Sequence, residues 1–559
     1  MWRRDAHRPS VTKLIPVRGL LRRHGPHLLF AVVVIAAAVR RLGGFTSHSL
    51  WFDDAWAALP ARESLSHALS MSVSTPLWTL AERWWIMVGP DATYWAQLPS
   101  YIFGVVGTVV MFPVLRRFGA SAWAASLGAS IFAVNPMMTT YSTRVKPYTL
   151  EVVCALIAYL CAESALRHQS RKALWWLAVV SVLATFSSFG VLTTIGTIWL
   201  VIIWQARRDR VVLRQRLAYA LPAGVLASIV VVPYVLSKPP SLSDNWVRRG
   251  YMFGYDSWHQ FAHNAISIFA GFPHSFFNIA YRLKYDPGHS HHYGLVYFLA
   301  AASVVVVVLF TRWWRHEPLV DRRRWWVVGA IIPASFLAAV VGAFPFGDGR
   351  TDLVMYPAVV LVGTLVLERV VRRRLESPRV ARIGVVLLVL LAVALPTQQL
   401  WSRPARYPTV EVKSLLTYVE SQWRPGDVIV VPAFLTYTWA YDGVTPWHLE
   451  VGGPDQWPQG FRVVSDDPRV IVPVAWTGND PQLATLAKNY RRVWYVGYTV
   501  GVWSPYGLPA NQPGVPMPNF TSGALEQAGW RVSWFSHYSD NTYVTPMEFR
   551  PSTPVDPLL

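Results

Sequence analysis

Two adjacent carboxylates, Asp53 and Asp54, stand in the run Ser49-Leu50-Trp51-Phe52-Asp53-Asp54-Ala55-Trp56, directly after the first long apolar stretch of the chain. A charged group in hydrocarbon costs about 3 kcal/mol on insertion scales, so a pair kept beside tryptophan and phenylalanine at the end of such a stretch points to a task. A carboxylate facing a polar loop can act as a general base or coordinate a divalent cation such as Mg or Mn, and a bound cation would offset the repulsion between the two acids. The competing reading is electrostatic capping of a helix over 55–63.

Two further segments carry complementary chemistry. Tyr141-Ser142-Thr143-Arg144-Val145-Lys146-Pro147-Tyr148 sets two cations and several hydroxyls between apolar stretches, which suits a phosphate or pyrophosphate held at a membrane surface. Interfacial anchoring by Tyr, Arg and Lys is the alternative. In Phe344-Pro345-Phe346-Gly347-Asp348-Gly349-Arg350-Thr351-Asp352, the Gly-Asp-Gly core predicts a tight turn that lets backbone approach a ligand, with Arg350 as a phosphate contact. A plain interhelical turn would look the same. His259, His263, His274, His289, His291 and His292 cluster in 237–292, and the first two have the i, i+4 spacing of a zinc pair, but no acidic residue completes a zinc-protease motif. No Walker A loop, dinucleotide-binding glycine loop or serine nucleophile elbow is present, so nucleotide chemistry has no support.

The elements that must position these residues are membrane helices. Of 559 residues 53% are hydrophobic and only 15% charged, too apolar for an ordinary soluble protein. Apolar spans are expected near 26–44, 97–115, 120–138, 149–166, 173–189, 191–204, 217–236, 293–311, 325–344, 353–371 and 383–400, about eleven transmembrane helices; 173–204 could instead be one re-entrant hairpin. The first span follows a basic N-terminus, 1–25, and reads as a retained helix because Arg40 and Arg41 stand where a cleavage site would be. The two cysteines, Cys154 and Cys161, read as packing residues.

The net charge of +20 is mostly topology. Connecting segments alternate in basicity, and 1–27, 116–117, 167–172, 207–216, 312–324 and 369–382 hold 28 of the 51 Lys and Arg residues. The positive-inside rule makes these cytoplasmic, which argues against a nucleic-acid partner. It puts the segments 45–96, 139–148, 237–292 and 345–352 outside, together with the region after 400. Arg40 and Arg41 then fall at the outer end of the first helix, where they either snorkel to the interface or serve the outer site. Residues 401–559 read as a separate extracytoplasmic α/β domain. It has a helix at 409–423, strands near 428–432, 470–475, 493–498, 531–535 and 542–549, helices at 481–490 and 522–528, and a surface loop at 499–520.

Taken in order, these motifs resemble those of the GT-C membrane glycosyltransferases, the family 39-like enzymes related to protein O-mannosyltransferases and to the aminoarabinose transferases of lipid A. Trp51-Phe52-Asp53-Asp54-Ala55 resembles their W-x-D-E-A motif, and Ser74-Thr75-Pro76-Leu77-Trp78 stands where they often have H-P-P-L-Y. Tyr141–Tyr148 resembles Y-S-x-E-A-R-P-Y, and 344–350 resembles Y-P-F-G-G-R. The resemblance covers roughly 26–400. It implies a polytopic GT-C-like catalytic domain that moves a monosaccharide, with inversion, from a polyprenyl-phosphate donor to a glycan, lipid or protein acceptor outside the cytoplasm, in service of the cell envelope. It implies Asp53 as the base, Asp54 as an acceptor or metal contact, Lys146, Arg144 and Arg350 as donor-phosphate contacts, and Tyr141, Tyr148 and Asp348 as lining. The chain departs from the pattern in having aspartate for the usual glutamate at Asp54, lysine for arginine at Lys146, Arg144 where glutamate is common, and no histidine before Pro76. The other readings weighed are a transporter or flippase of a lipid-linked substrate, against which the polar residues cluster in outer loops rather than mid-membrane, and a non-catalytic envelope scaffold.

Overall fold

The structure is a computed structural model that describes residues 15–237 apart from 46–48, 72–73 and 91, parts of 247–268, and 325–374 apart from 348–349. Beyond these it describes the segments 412–431, 435–442, 446–451, 461–471, 492–498, 530–535 and 544–551. Among the described residues, four helices are long and apolar enough to cross a bilayer: His24–Leu42 within α1 (Ile15–Leu42), α5 (Thr93–Arg117), α8 (Tyr148–His168) and Arg210–Pro233 within α11 (Arg210–Ser237). The chain is thus a multi-pass helical membrane protein.

Several expected spans are interrupted. The stretch 120–138 divides into α6 (Ala122–Ala133) and α7 (Pro136–Tyr141). Asn135 starts the second piece, its Oδ1 accepting the N–H groups of Met137 and Met138 at 3.0 and 3.1 Å, and Pro136 suits the first helical turn but could not continue α6. By contrast, the expected spans 173–189 and 191–204 form as two helices, α9 (Arg171–Ser187) and α10 (Leu192–Ala206), separated at 188–191. Further along come α12 (Ile331–Val340), a 3₁₀ turn at Leu353–Met355, and α13 (Tyr356–Arg374). The spans expected at 293–311 and 383–400 lie outside the described residues. One apolar core joins α5, α6, α8, α9, α10, α12 and α13 through residues such as Met111, Phe132, Leu156, Leu177, Ile198, Ile331 and Leu361, each less than 2% exposed.

The segment 45–96 is largely helical: α2 (Phe52–Arg62), α3 (Leu65–Ser70) and α4 (Pro76–Val88) lie outside the long spans. Buried Thr75, Trp78, Thr79 and Glu82 mark one face of α4 by their i, i+3, i+4, i+7 spacing, and α4 packs on α2.

After residue 411 the chain forms α14 (Val412–Ser421), β1 (Asp427–Val430), α15 (Thr436–Tyr441), β2 (Trp447–Val451), β3 (Phe461–Ser465), β4 (Val470–Ile471), β5 (Arg492–Tyr498), β6 (Trp530–Phe535) and β7 (Val544–Pro551). The main sheet has the order β4-β1-β5-β7-β6, with parallel pairing around β1 and antiparallel pairing around β7. The strands fall where the apolar runs put them. The antiparallel β2–β3 hairpin and α15 are additions to the sequence reading. The composition of α15, Thr-Tyr-Thr-Trp-Ala-Tyr, favours strand, and packing against α2 overrides it. The helices expected at 481–490 and 522–528 and the loop at 499–520 lie outside the described residues.

This second sheet region docks on the helix that bears the aspartates. Leu50, Ala55, Ala58 and Val145 share a buried cluster with Tyr437, Tyr441, Leu449 and Phe461. Arg62 donates to Tyr441 O at 2.7 Å, and its guanidinium lies 3.8 Å from the Tyr441 ring centroid. Ser49 Oγ donates to Asp442 at 2.5 Å and accepts the Val412 N–H at 3.1 Å.

Candidate active site

Asp53 and Asp54 occupy the first turn of α2, where the helix dipole favours carboxylates. Consecutive helical residues point about 100° apart, so the two diverge. Asp54 turns inward and is 1% exposed, whereas the Asp53 side chain keeps 32% of its surface.

Asp54 has both oxygens engaged. Oδ2 accepts from Arg144 Nη1 at 2.6 Å and Oδ1 accepts the Val145 N–H at 3.1 Å. Burial pushes its carboxyl above the usual range, opposed by Arg144 and Lys146. Arg144 is itself only 8% exposed. This pair ties the start of α2 to the 142–147 loop, so the cation expected at a donor phosphate instead pairs with the second aspartate. A resident divalent cation fits this arrangement poorly: Asp54 is committed, and among the described residues no group of three His, Cys, Asp or Glu converges. Of the six histidines, His263, His274, His289, His291 and His292 lie outside the described residues.

Asp53 faces cations. Its Oδ2 lies 3.4 Å from Arg350 Nη1, and both side chains are about one-third exposed, at 32% and 29%. Lys146 is half-buried, with its ammonium 4.9 Å from the Trp56 ring centroid, and it feels both aspartates and Arg350. Burial lowers its pKa, with Asp53 and Asp54 opposing. Among the described residues, Lys146 and Arg350 thus lie near Asp53, while Arg144 is paired with Asp54.

The supports of this cluster come from four distant parts of the chain. Ser100 Oγ on α5 donates to Lys146 O at 2.9 Å, and Thr149 Oγ1 returns a bond to Ser100 O at 2.9 Å. Gly104 lets α5 approach the loop, since a Cβ there would collide with the Ser142 side chain. Tyr141 and Tyr148 close the loop base edge to face, with centroids 4.9 Å apart. In the last loop Gly347 has φ +92°, and its N–H is held by both oxygens of the fully buried Asp352 at 3.1 and 2.8 Å, which fixes the turn before Arg350. Phe346 N–H bonds to Tyr251 O at 2.9 Å, joining the 237–292 segment to the same region. Asp348 lies outside the described residues.

Sequence reasoning did not single out Asp352 or Glu82. Glu82 is 1% exposed, neither oxygen has a hydrogen-bond partner among the described residues, and burial, then the nearby Asp54, pushes its carboxyl well above the usual range. Its signal was a lone acid in the apolar run Leu77-Trp78-Thr79-Leu80-Ala81-Glu82. Arg41 was noted only as a misfit; it is 1% exposed and donates from Nε to Ser142 Oγ at 3.0 Å.

No protein-family model matches this chain, and no curated protein matches it. Among solved structures it matches ArnT from Cupriavidus metallidurans, determined in the apo state, with a TM-score of 0.50 and 15% sequence identity over 94% of this chain and 98% of that one.

Proposed function

With the fold of the GT-C membrane glycosyltransferases as premise, we propose that the protein moves a monosaccharide from a polyprenyl-phosphate donor to an acceptor hydroxyl on the extracytoplasmic side, with Asp53 as general base. The observation that carries this reading is the Asp53–Arg350 pair beside Lys146: an accessible carboxylate next to two cations, which is what a base and a departing phosphate need.

The chemistry is a single displacement. The acceptor oxygen attacks the anomeric carbon and forms the new C–O bond, the acceptor proton passes to the Asp53 carboxylate, and the anomeric C–O bond to phosphate breaks. Attack opposite to departure inverts the anomeric centre. Polyprenyl phosphate leaves with an added negative charge, stabilised by Lys146 and Arg350. Base assistance of this kind contributes about 10²–10⁴-fold. Asp54 holds the 142–147 loop through Arg144 and keeps Lys146 in place.

An extracytoplasmic site accords with the basic segments on the opposite side and with the segments 45–96, 139–148, 237–292 and 345–352 supplying contacts to one region. About eleven helices and an extracytoplasmic domain after residue 400 belong to the same reading. Asp53 is one-third exposed on a helix that packs against α15, which suits a bulky acceptor, whether glycan, lipid or protein.

The test is reconstitution of the purified protein in vesicles with polyprenyl-phosphate sugars, alongside mass analysis of envelope glycans from cells with and without it. A glycan that gains one sugar only when the protein is present is expected. Movement of the intact lipid-linked sugar across the bilayer without covalent change would overturn the reading in favour of transport.

A further inference from the structure

Arg40 and Arg41 close α1 at its outer end, and neither makes an ion pair with a described carboxylate. Arg41 turns inward: besides Ser142 it donates from Nη2 to Ala133 O at 2.9 Å and to Thr108 Oγ1 at 3.4 Å, while its Nη1 has no hydrogen-bond partner among the described residues. Arg40 is half-buried, and its Nε and Nη1 also lack partners. A buried guanidinium without a counter-ion is costly, and Arg41, with half-buried Arg40 before it, has none among the described residues.

The surroundings say what kind of anion could reach them. Val32, Ile35, Val39 and Leu42 are 50–62% exposed on an apolar stripe of α1, the face that meets lipid. Arg40 stands at the edge of that stripe and Arg41 behind it. Tyr101 OH donates to Ala38 O of α1 at 3.3 Å and its ring packs on Phe45, while the preceding Ser100 holds Lys146. The lipid-facing corner of α1 is therefore continuous, through Tyr101, Ser100 and Ser142, with the loop that carries Arg144 and Lys146. Ordinary interfacial arginines extend toward bulk headgroups; here Arg41 points into the protein, and donors shielded from water bind an arriving anion strongly.

We propose that Arg40 and Arg41 form a lipid-phosphate subsite at the membrane edge of α1, through which the phosphate of the lipid-linked donor enters laterally before it reaches Lys146 and Arg350. The identity of the lipid rests on the function proposed above; the phosphate chemistry does not.

The test uses the full-length protein in detergent, titrated with undecaprenyl phosphate or phosphatidylglycerol and read by native mass spectrometry, so no turnover is needed. Arg40→Gln is expected to raise the Kd for undecaprenyl phosphate about tenfold, the loss of one charge-assisted contact, with Arg40→Lys recovering part of it and phosphatidylglycerol binding unchanged. Arg41→Gln would also release Ser142, so Arg40 carries the test. An unchanged Kd for undecaprenyl phosphate would overturn the proposal; an equal loss for both lipids would support the phosphate subsite and overturn its assignment to the donor lipid. Failure of the transferase reading would show separately, as wild-type protein that binds undecaprenyl phosphate but transfers no sugar.

Discussion

Arg144 Nη1 lies 2.6 Å from Asp54 Oδ2, and this buried pair sorts the two adjacent aspartates. Asp54 holds the architecture, because its partner comes from the loop that also presents Lys146. Asp53, one position earlier, is left facing Arg350 with a third of its surface open.

Asp54→Asn strips the buried Arg144 of this carboxylate, a change that costs about 3–5 kcal/mol when a buried pair is broken. Thermal unfolding in detergent is expected to show a large loss of stability for Asp54→Asn and little for Asp53→Asn. Equal stability of the two variants would mean that the Arg144 pair does not hold the loop.

Arg350→Ala removes a cation proposed to stabilise the departing phosphate. Removal of one preorganised donor typically costs about 10²–10³ in rate, and kcat/KM is expected to fall within that range. Arg350→Lys restores charge but not the planar fork, so it should recover only part of the activity. Initial-rate kinetics with a polyprenyl-phosphate sugar would decide this, and a full rescue by lysine would reduce Arg350 to a point charge.

Glu82 gives a pH signature. Its pKa in the fold is raised, so the folded state binds more protons than the unfolded state above the unfolded value of 4.5. Stability from this group is complete below that value and is lost as pH rises toward the folded pKa. Glu82→Gln, which keeps the shape of the neutral acid, is expected to flatten the decline of stability with rising pH. Parallel curves for wild type and variant, from denaturation at a series of pH values, would rule out Glu82 as its source.

Arg62 joins α2 to the second sheet region through Tyr441. Arg62→Ala removes a cation–π contact and a hydrogen bond, about 1–2 kcal/mol together. Limited proteolysis should then cut the protein faster, and the transfer rate should fall in step because α15 backs the helix bearing Asp53. Faster cleavage with an unchanged rate would separate docking from the site.

Much of this was legible in the sequence. Asp53-Asp54, Arg144, Lys146 and Arg350 stood out as charges bracketed by apolar runs, and alternating basicity grouped their segments on one side. The division of labour was not legible, because two adjacent acids look alike until helical geometry sends one inward and the other out. Breaks such as Asn135-Pro136 hid inside continuous apolarity, which hydropathy reads as one span. α15 was hidden by its strand-like composition, and Glu82 and Asp352 stand apart by their burial, which no local pattern records. Arg41 showed itself only as a violation of the positive-inside pattern.

The account turns on Asp53. The most direct measurement is the rate at which Asp53→Asn transfers sugar from a polyprenyl-phosphate donor in vesicles, with its unfolding temperature recorded alongside. The predicted result is a rate lower by about 10²–10⁴-fold at unchanged stability; transfer at the wild-type rate by the folded variant would contradict it.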